Sequence, residues 1–285
     1  MASAKEIRGQ IKAIQNTGKI TKAMEMVAAS KMRKAQDRVT TGRAYAEGIK
    51  RVVANLMQAH PEYKHPFVVE REQVKRLGLI LVNTDKGLCG GLNTNAQRLA
   101  LNIVKDSTVD VEAYTIGRRA GQFMRKIVDD LRASEEEVPD ATELSDVLGV
   151  VTVAMERYIK GEVDEVILVF TEFVNTMTQM PVKIQLLPCA ASIEPSHPGY
   201  WDYIYEPDSK DVLDALLRRY VESLVYHAVL ENKACEHSAR MIAMKSATDN
   251  AKEIAQDLKI TYNKARQAGI TQEIAEICSG AAAAA

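Results

Sequence analysis

The first 56 residues have the pattern of one uninterrupted amphipathic helix. No proline precedes Pro61, and mostly apolar or small residues recur three or four positions apart, which is the period of one helix face. At about 1.5 Å per residue such a helix is roughly 80 Å long, too long for the core of a small domain. A second long element must therefore lie along it. The stripe consists of Ile7, Ile11, Ile14, Gly18, Thr21, Glu25, Ala28, Met32, Ala35, Val39, Gly42, Ala46, Ile49, Val53 and Leu56.

The C-terminal segment can supply that second element. No proline occurs after Pro207, and a comparable stripe runs from Leu213 to Val229 and continues in a shifted phase from Met241 to Ala265. A shift of phase is expected when a helix with 3.6 residues per turn follows a partner over many turns. We therefore predict that the two terminal helices pair as a long antiparallel coiled coil.

The segment between the helices has the alternation of an α/β domain with a mainly parallel sheet. Short aliphatic runs indicate buried strands, and longer amphipathic runs indicate helices. The predicted strands are 77–83, 111–117, 163–170 and an edge strand at 182–193 that contains Pro188; the predicted helices are 93–104, 118–131 and 142–159. The expected division is a helix at 1–58, an α/β domain at 74–195, a connector at 196–208 and a helix at 209–285.

Charge is distributed unevenly along the chain. Residues 1–58 carry twelve Lys and Arg against four Asp and Glu, a net +8, whereas residues 59–208 carry a net −9. A basic helix suits nucleic acid, an anionic membrane or an acidic protein surface. The basic residues spread from Lys5 to Arg51 and no aromatic residue precedes Tyr45, which disfavours a compact DNA-binding region or base stacking. No apolar run is long enough for a transmembrane helix, and the first residues lack a signal-peptide pattern.

The best candidate for chemistry is the glycine-rich loop from Asn83 to Gly91, which follows a predicted strand. Such loops can bind phosphate through backbone N–H groups, but the spacing matches neither common nucleotide-binding motif. Cys89 has no histidine near it in sequence to act as a base. A structural turn or a partner-docking loop is therefore favoured. No spacing suggests a metal or cofactor site, and the four scattered cysteines are typical of reduced thiols in a cytoplasmic protein.

Four segments resemble the gamma subunit family of F-type ATP synthases, in its bacterial form. They are Lys19–Lys34, Asp85–Asn93, Leu217–Ser223 and Tyr262–Ile274. The resemblance covers essentially the whole chain. It implies a non-catalytic central rotor shaft, with a coiled coil of the terminal helices and a Rossmann-like domain toward the membrane. It also implies coupling of proton flow through a membrane ring to ATP synthesis or hydrolysis, at the cytoplasmic face of the bacterial inner membrane.

The resemblance further implies partners and contact residues. The partners are three alpha and three beta subunits around a single shaft, an epsilon subunit and the membrane c-ring; no nucleic acid, cofactor or metal is implied. Arg266, Gln267 and Thr271 resemble the polar residues that contact a loop of a catalytic subunit. Lys86 lies where a second such contact would be. Met24 lies where the first helix faces an acidic loop of a catalytic subunit. Tyr205, Glu206, Pro207 and Asp208 resemble the foot that rests on the membrane ring.

Two other interpretations remain open from the residues alone. One is a cytoskeletal or adaptor coiled coil with an α/β head, which would self-associate. The other is a nucleic-acid-binding rod, whose affinity would depend steeply on salt concentration.

Overall fold

A computed structural model describes residues 4–59, 65–69, 71–189 and 209–284. The predicted foot, with Tyr205, Glu206 and Asp208, lies outside these residues. The elements in chain order are α1 (Ala4–Ala59), β1 (Arg76–Val82), α2 (Leu92–Asp106), β2 (Asp110–Ile116), α3 (Arg118–Met124), β3 (Asp130–Glu135), α4 (Ser145–Ile159), β4 (Glu165–Phe173), β5 (Gln179–Leu187) and α5 (Ser209–Ala284).

The chain divides into two compact units, Met1–Ala28 with Met241–Ala285 and Ala29–Arg240. In the first unit, α1 and α5 run antiparallel. The hydroxyls of Thr21 and Thr248 lie 2.7 Å apart in a hydrogen bond, and a Cβ added at Gly18 would lie 3.4 Å from the Cβ of Ala251. Small residues therefore let the two backbones approach closely along this seam. Every predicted stripe residue whose burial is described, in both helices, is buried or half-buried, so the helix-face prediction is confirmed.

The second unit is built on a five-stranded sheet in the order β3-β2-β1-β4-β5. The first four strands are parallel, and β5 runs antiparallel to β4 at one edge. α1, α4 and α5 cover one face of the sheet, where Ile80 and Leu168 meet Met155 and Val225. α2 and α3 cover the other face. β1, with the sequence RLGLILV, is buried on both faces, as its continuous apolar run requires.

The fold-class prediction is confirmed, but one strand was missed. Residues 130 and 131 belong to β3 and not to a helix reaching 131, because α3 ends at Met124. β3 has the sequence DLRASE and lies at the sheet edge, with every residue exposed or half-buried. A strand that buries so little surface needs no apolar alternation, so its sequence carries no period-two signal.

Candidate functional site

The carboxyl ends of β1 and β4 form the place where a ligand binds in many open α/β sheets. β1 and β4 are neighbours, but the chain leaves β1 toward β2 on one side and leaves β4 toward β5 on the other. A crevice opens at such a switch point, and in dinucleotide-binding folds it holds the ligand. In this chain a segment of α5 lies there instead.

Residues 228–238 of α5 are buried around the whole circumference of the helix. Two of them contact the end of β4: the Cys235 thiol donates to the carbonyl of Thr171 at 3.4 Å, and the Phe173 N–H donates to Glu231 Oε2 at 3.2 Å. The segment is unusual because it also carries Lys233, Glu236 and His237, each less than a tenth exposed. Charged residues are rarely buried unless they are paired, so their partners define the site.

The glycine-rich loop closes one side of this segment. The Arg240 guanidinium donates to the carbonyl of Gly87 at 3.1 Å and to Glu236 Oε1 at 2.7 Å. Cys89 lies in one buried cluster with Cys235. Burial raises the pKa of the Cys89 thiol, which opposes formation of the nucleophilic thiolate. The loop therefore docks on a helix of the same chain, and docking of a partner subunit by this loop stays a prediction.

Asp85 fastens this loop to its two neighbours at the same edge of the sheet. Its Oδ1 accepts hydrogen bonds from the backbone N–H groups of Arg118, at 2.9 Å, and Glu137, at 3.0 Å. Arg118 follows β2 and Glu137 follows β3, so one carboxylate joins the segments that follow three adjacent strands. Its other oxygen, Oδ2, lies 3.8 Å from the Lys233 ammonium of α5.

The loop between β3 and α4 holds α1 and α5 together through Asp140. The Lys31 ammonium of α1 donates to Asp140 Oδ2 at 2.6 Å, and His237 Nε2 of α5 lies 3.5 Å from Oδ1. The Arg38 guanidinium also donates to the backbone carbonyl of Asp140 at 2.5 Å. Burial raises the pKa of Asp140, but the hydrogen bond from Lys31, the charge of His237 when it is protonated and the charges of Lys31 and Lys233 outweigh it, so the pKa is lowered overall. Together these contacts define a site that we call the socket. It consists of residues 228–240 of α5, loops 83–91 and 136–142, and residues 171–173.

The buried histidine of the socket predicts a pH dependence of stability. Burial lowers the pKa of His237 from 6.5 more than the carboxylates of Glu236 and Asp140 raise it, while Arg240 and Lys31 also lower it. The folded chain therefore favours neutral imidazole, and unfolding takes up a proton below about pH 6.5. The free energy of unfolding is expected to decrease as pH falls from 6.5 toward the lowered pKa, by about 1.4 kcal/mol for each unit of lowering.

The test is thermal unfolding followed by circular dichroism between pH 8 and pH 5. His237→Gln should reduce the pH slope in this window, and His227→Gln should do so independently, because burial also lowers the pKa of His227. Equal slopes in the parent chain and the His237→Gln variant would show that His237 is not held neutral.

The sequence-predicted contact residues fall into separate places. Met24 is half-buried on α1, whereas Arg266, Gln267 and Thr271 are exposed on α5. In the first unit Thr21 lies beside Thr248 and Gly18 beside Ala251, and this antiparallel register gives the level of Met24 along α5. Arg266 lies about 21 residues, or roughly 30 Å, further along α5 from that level.

Lys86 belongs to the second unit and is exposed on loop 83–91 of the socket. Sequence reasoning missed Lys233, Arg240 and His237. The available signal was a group of charged residues, from 231 to 237, just where the apolar stripe of α5 changes phase.

Residues 3–284 match a family model described as ATP synthase. The ATP synthase gamma chain of Thiobacillus denitrificans is 53% identical over 289 residues, covering 99% of this chain and 100% of the relative. That of Coxiella burnetii strain CbuG_Q212 is 52% identical over 287 residues and covers 99% of both. The chain belongs to the ATP synthase gamma chain family. It is thus related to a central-stalk rotor subunit, in a complex whose catalytic sites lie in other subunits.

Solved structures agree with that membership of the gamma chain family. The central stalk of the Tetrahymena thermophila mitochondrial ATP synthase aligns with a TM-score of 0.63 and 25% identity, covering 80% of this chain and 99% of that one. The rotor of the Euglena gracilis mitochondrial ATP synthase aligns with a TM-score of 0.68 and 19% identity, covering 94% and 98%, and shows the shared fold. Among the described residues of this chain, no helix combines the length and apolar character needed to span a membrane.

Proposed function

We propose that the chain is the rotating shaft of a bacterial ATP synthase, which couples proton flow through a membrane ring to ATP synthesis and hydrolysis. The observation that carries the proposal, beside family membership, is the socket. A helix that is bound to a sheet domain by buried ion pairs and backbone contacts resists displacement from that domain when torque is applied. In this chain the switch point of the sheet binds a helix and not a ligand, which agrees with a mechanical role.

The mechanism follows from asymmetry. A single shaft inside a threefold ring of alpha and beta subunits contacts each catalytic subunit differently. Each contact favours one conformation of that subunit and thereby its nucleotide affinity. Rotation exchanges these preferences among the three subunits. We place the epsilon subunit and the c-ring among the partners, and the complex at the cytoplasmic face of the bacterial inner membrane. The foot within 196–208, with Tyr205, Glu206 and Asp208, would rest on the c-ring.

The solvent exposure of the predicted contact residues supports the proposed contacts with the catalytic subunits. Residues 266–281 of α5 are all exposed, so Arg266, Gln267 and Thr271 are available to a partner. Lys86 is exposed as well. In the first unit, a groove of about 930 Å³ between α1 and α5 is lined by Lys19, Lys22, Lys252 and Lys259 beside apolar residues that include Met26. Such a surface suits an acidic loop with apolar side chains.

Replacing Met24 by Lys tests whether an acidic loop of a catalytic subunit faces this position of α1. The added ammonium should form an ion pair with the loop, and a pair worth about 1 kcal/mol would shift the bound population about fivefold. One rotational position would then be favoured too strongly, so we expect at least about a twofold fall in protons pumped per ATP. The measurement is ATP-driven proton uptake and ATP hydrolysis in inverted membrane vesicles, with Met24→Leu as the control of similar volume. Unchanged pumping per ATP would contradict the assignment of Met24.

Co-purification tests the function as a whole. A tagged chain purified from its own cells should bring alpha and beta subunits, with three of each for one copy of the chain. Native mass spectrometry gives this ratio. Recovery of self-associated chain without these subunits would favour the adaptor interpretation, and recovery of nucleic acid released by salt would favour the nucleic-acid rod.

A further inference from the structure

Lys233 is a buried lysine on α5 with three acceptors from three segments of the chain. Its ammonium donates to the carbonyl of Val138 at 2.7 Å and lies 3.8 Å from both Asp85 Oδ2 and Glu236 Oε2. The side chain is only 9% exposed. A buried ammonium costs several kcal/mol in lost hydration unless anionic groups and acceptors surround it. Here the acceptors come from loop 83–91, loop 136–142 and α5 itself.

Loop 83–91 is attached to α5 on both sides of Lys86. On one side, Asp85 is paired with Lys233; on the other, the carbonyl of Gly87 accepts from Arg240. Lys86 lies between these two attachment points, and its own carbonyl accepts from the Thr84 hydroxyl at 2.6 Å. The backbone of Lys86 is therefore held while its side chain stays exposed.

The loop needs such attachment because its sequence permits many conformations. Gly90 has φ +58°, and Leu88, which is not glycine, has φ +63°. A non-glycine residue in this region costs about 1–3 kcal/mol and persists only when its surroundings impose it. Without the ammonium of Lys233, the carboxylates of Asp85 and Glu236 would also be left to repel each other. The loop would then be pushed away from α5.

We propose that Lys233 is a positioning residue for Lys86: it fixes the loop on α5 so that Lys86 meets a carboxylate of a catalytic subunit at a defined angle of rotation. This inference rests on the proposed function, because Lys86 is assigned to such a contact there. Lys233 itself touches no partner, because its ammonium is enclosed by the two loops and α5. Its influence on coupling passes through the position of Lys86.

The experiment uses the whole ATP synthase in inverted membrane vesicles, with protons pumped per ATP as the readout. The variants are Lys86→Ala, Lys233→Met, the double variant and Lys233→Arg. The control is Arg71→Met, which also removes a cation paired with a carboxylate and a carbonyl, those of Asp164 and Tyr158. Asp164 precedes β4, so this pair lies at the opposite edge of the sheet from the socket.

We expect Lys86→Ala and Lys233→Met to lower pumping per ATP by a similar factor, and the double variant to lower it no further. Lys233→Arg should restore most of the loss, and Arg71→Met should leave pumping per ATP unchanged. Hydrogen exchange in the purified complex gives a second readout. Loss of a charge-assisted hydrogen bond should speed exchange of the amides in 84–91 by about 10-fold to 100-fold in Lys233→Met, with β1 still protected.

Two results would overturn the assignment of Lys233. One is unchanged exchange in 84–91, and the other is a double variant whose loss equals the product of the single losses. A different result would overturn only the assignment of Lys86 in the proposed function: faster exchange in Lys233→Met, with pumping per ATP unchanged in both single variants. In that case the attachment of the loop by Lys233 is supported by the exchange data.

Discussion

Gly117→Ala is expected to lower the free energy of unfolding by about 4 kcal/mol. Gly117 has φ +94°, and a Cβ added there would lie 2.1 Å from the carbonyl oxygen of Asn83. The neighbouring atom is backbone, and it belongs to the first residue of loop 83–91, directly after β1, so it cannot move cheaply. Backbone strain and overpacking each cost about 1–3 kcal/mol, and here both apply.

The position also explains the size of the effect. The N–H of Gly117 donates to the carbonyl of Glu135 at 2.7 Å, and the N–H of Asn83 donates to the carbonyl of Ile116 at 2.9 Å. The ends of β1, β2 and β3 therefore meet at this glycine. A shift that relieves the clash would break these hydrogen bonds and displace the loop that carries Lys86.

The measurement is urea unfolding of the parent chain and the variant, followed by circular dichroism. Gly149→Ala is the matched control, because Gly149 lies inside α4 with nothing within 4 Å of an added Cβ. That control should stabilise the chain by up to about 1 kcal/mol through helix propensity. A Gly117→Ala variant within about 0.5 kcal/mol of the parent would contradict the argument, because that is the range of ordinary surface changes.

Arg157→Leu is expected to cost about 3–5 kcal/mol, because it leaves a buried carboxylate without its main partner. Glu112 is completely buried within β2. The Arg157 guanidinium donates to Glu112 through Nε, at 2.9 Å, and Nη2, at 2.7 Å, and the Tyr114 hydroxyl donates to it as well. The same hydrogen bonding raises the pKa of Arg157, and burial followed by the bond to Glu112 raises the pKa of Tyr114.

The control variant is Arg132→Leu, which removes a weaker partner of the same carboxylate. Arg132 Nε lies 3.6 Å from Glu112, and its side chain is 38% exposed, against 17% for Arg157. The expected cost is below about 1 kcal/mol, as for exposed ion pairs. Adding Glu112→Gln to Arg157→Leu should recover part of the loss, because the unpaired charge disappears. Urea unfolding measures all three; equal costs for the two arginine variants would show that burial of the pair is not the cause.

The parts of the fold and of the site that could be predicted from sequence are those that a local pattern of residues specifies. The helical stripes from Ile7 to Val53 and from Leu213 to Ala265 are local patterns, and every member with described burial is buried or half-buried. β1 and β4 were also predicted within a few residues, because a run of aliphatic residues marks a doubly covered strand. β3 carries no such pattern at its exposed sheet edge, so it was missed.

The socket could not be predicted, because it joins residues far apart in sequence. Lys233 meets Asp85 and Val138, and His237 meets Asp140. In the sequence alone, Lys233, Asp85, His237 and Asp140 each have the pattern of an ordinary exposed polar or charged residue. Only the packing of α5 across the carboxyl ends of β1 and β4 removes them from water and makes their pairing necessary. The predicted loop at 83–91 was in the right place, but its partner was a helix of the same chain.

The sequence by itself determined the two long helices, the α/β class of the middle segment, the uneven charge and the family resemblance, because these depend on residue type and local spacing. The tertiary structure decided that a helix occupies the carboxyl ends of β1 and β4, where many α/β sheets bind a ligand, and that this helix keeps buried charges. The physical reason is that the cost of burying a charge, and the partners that offset it, exist only once distant segments have been brought together.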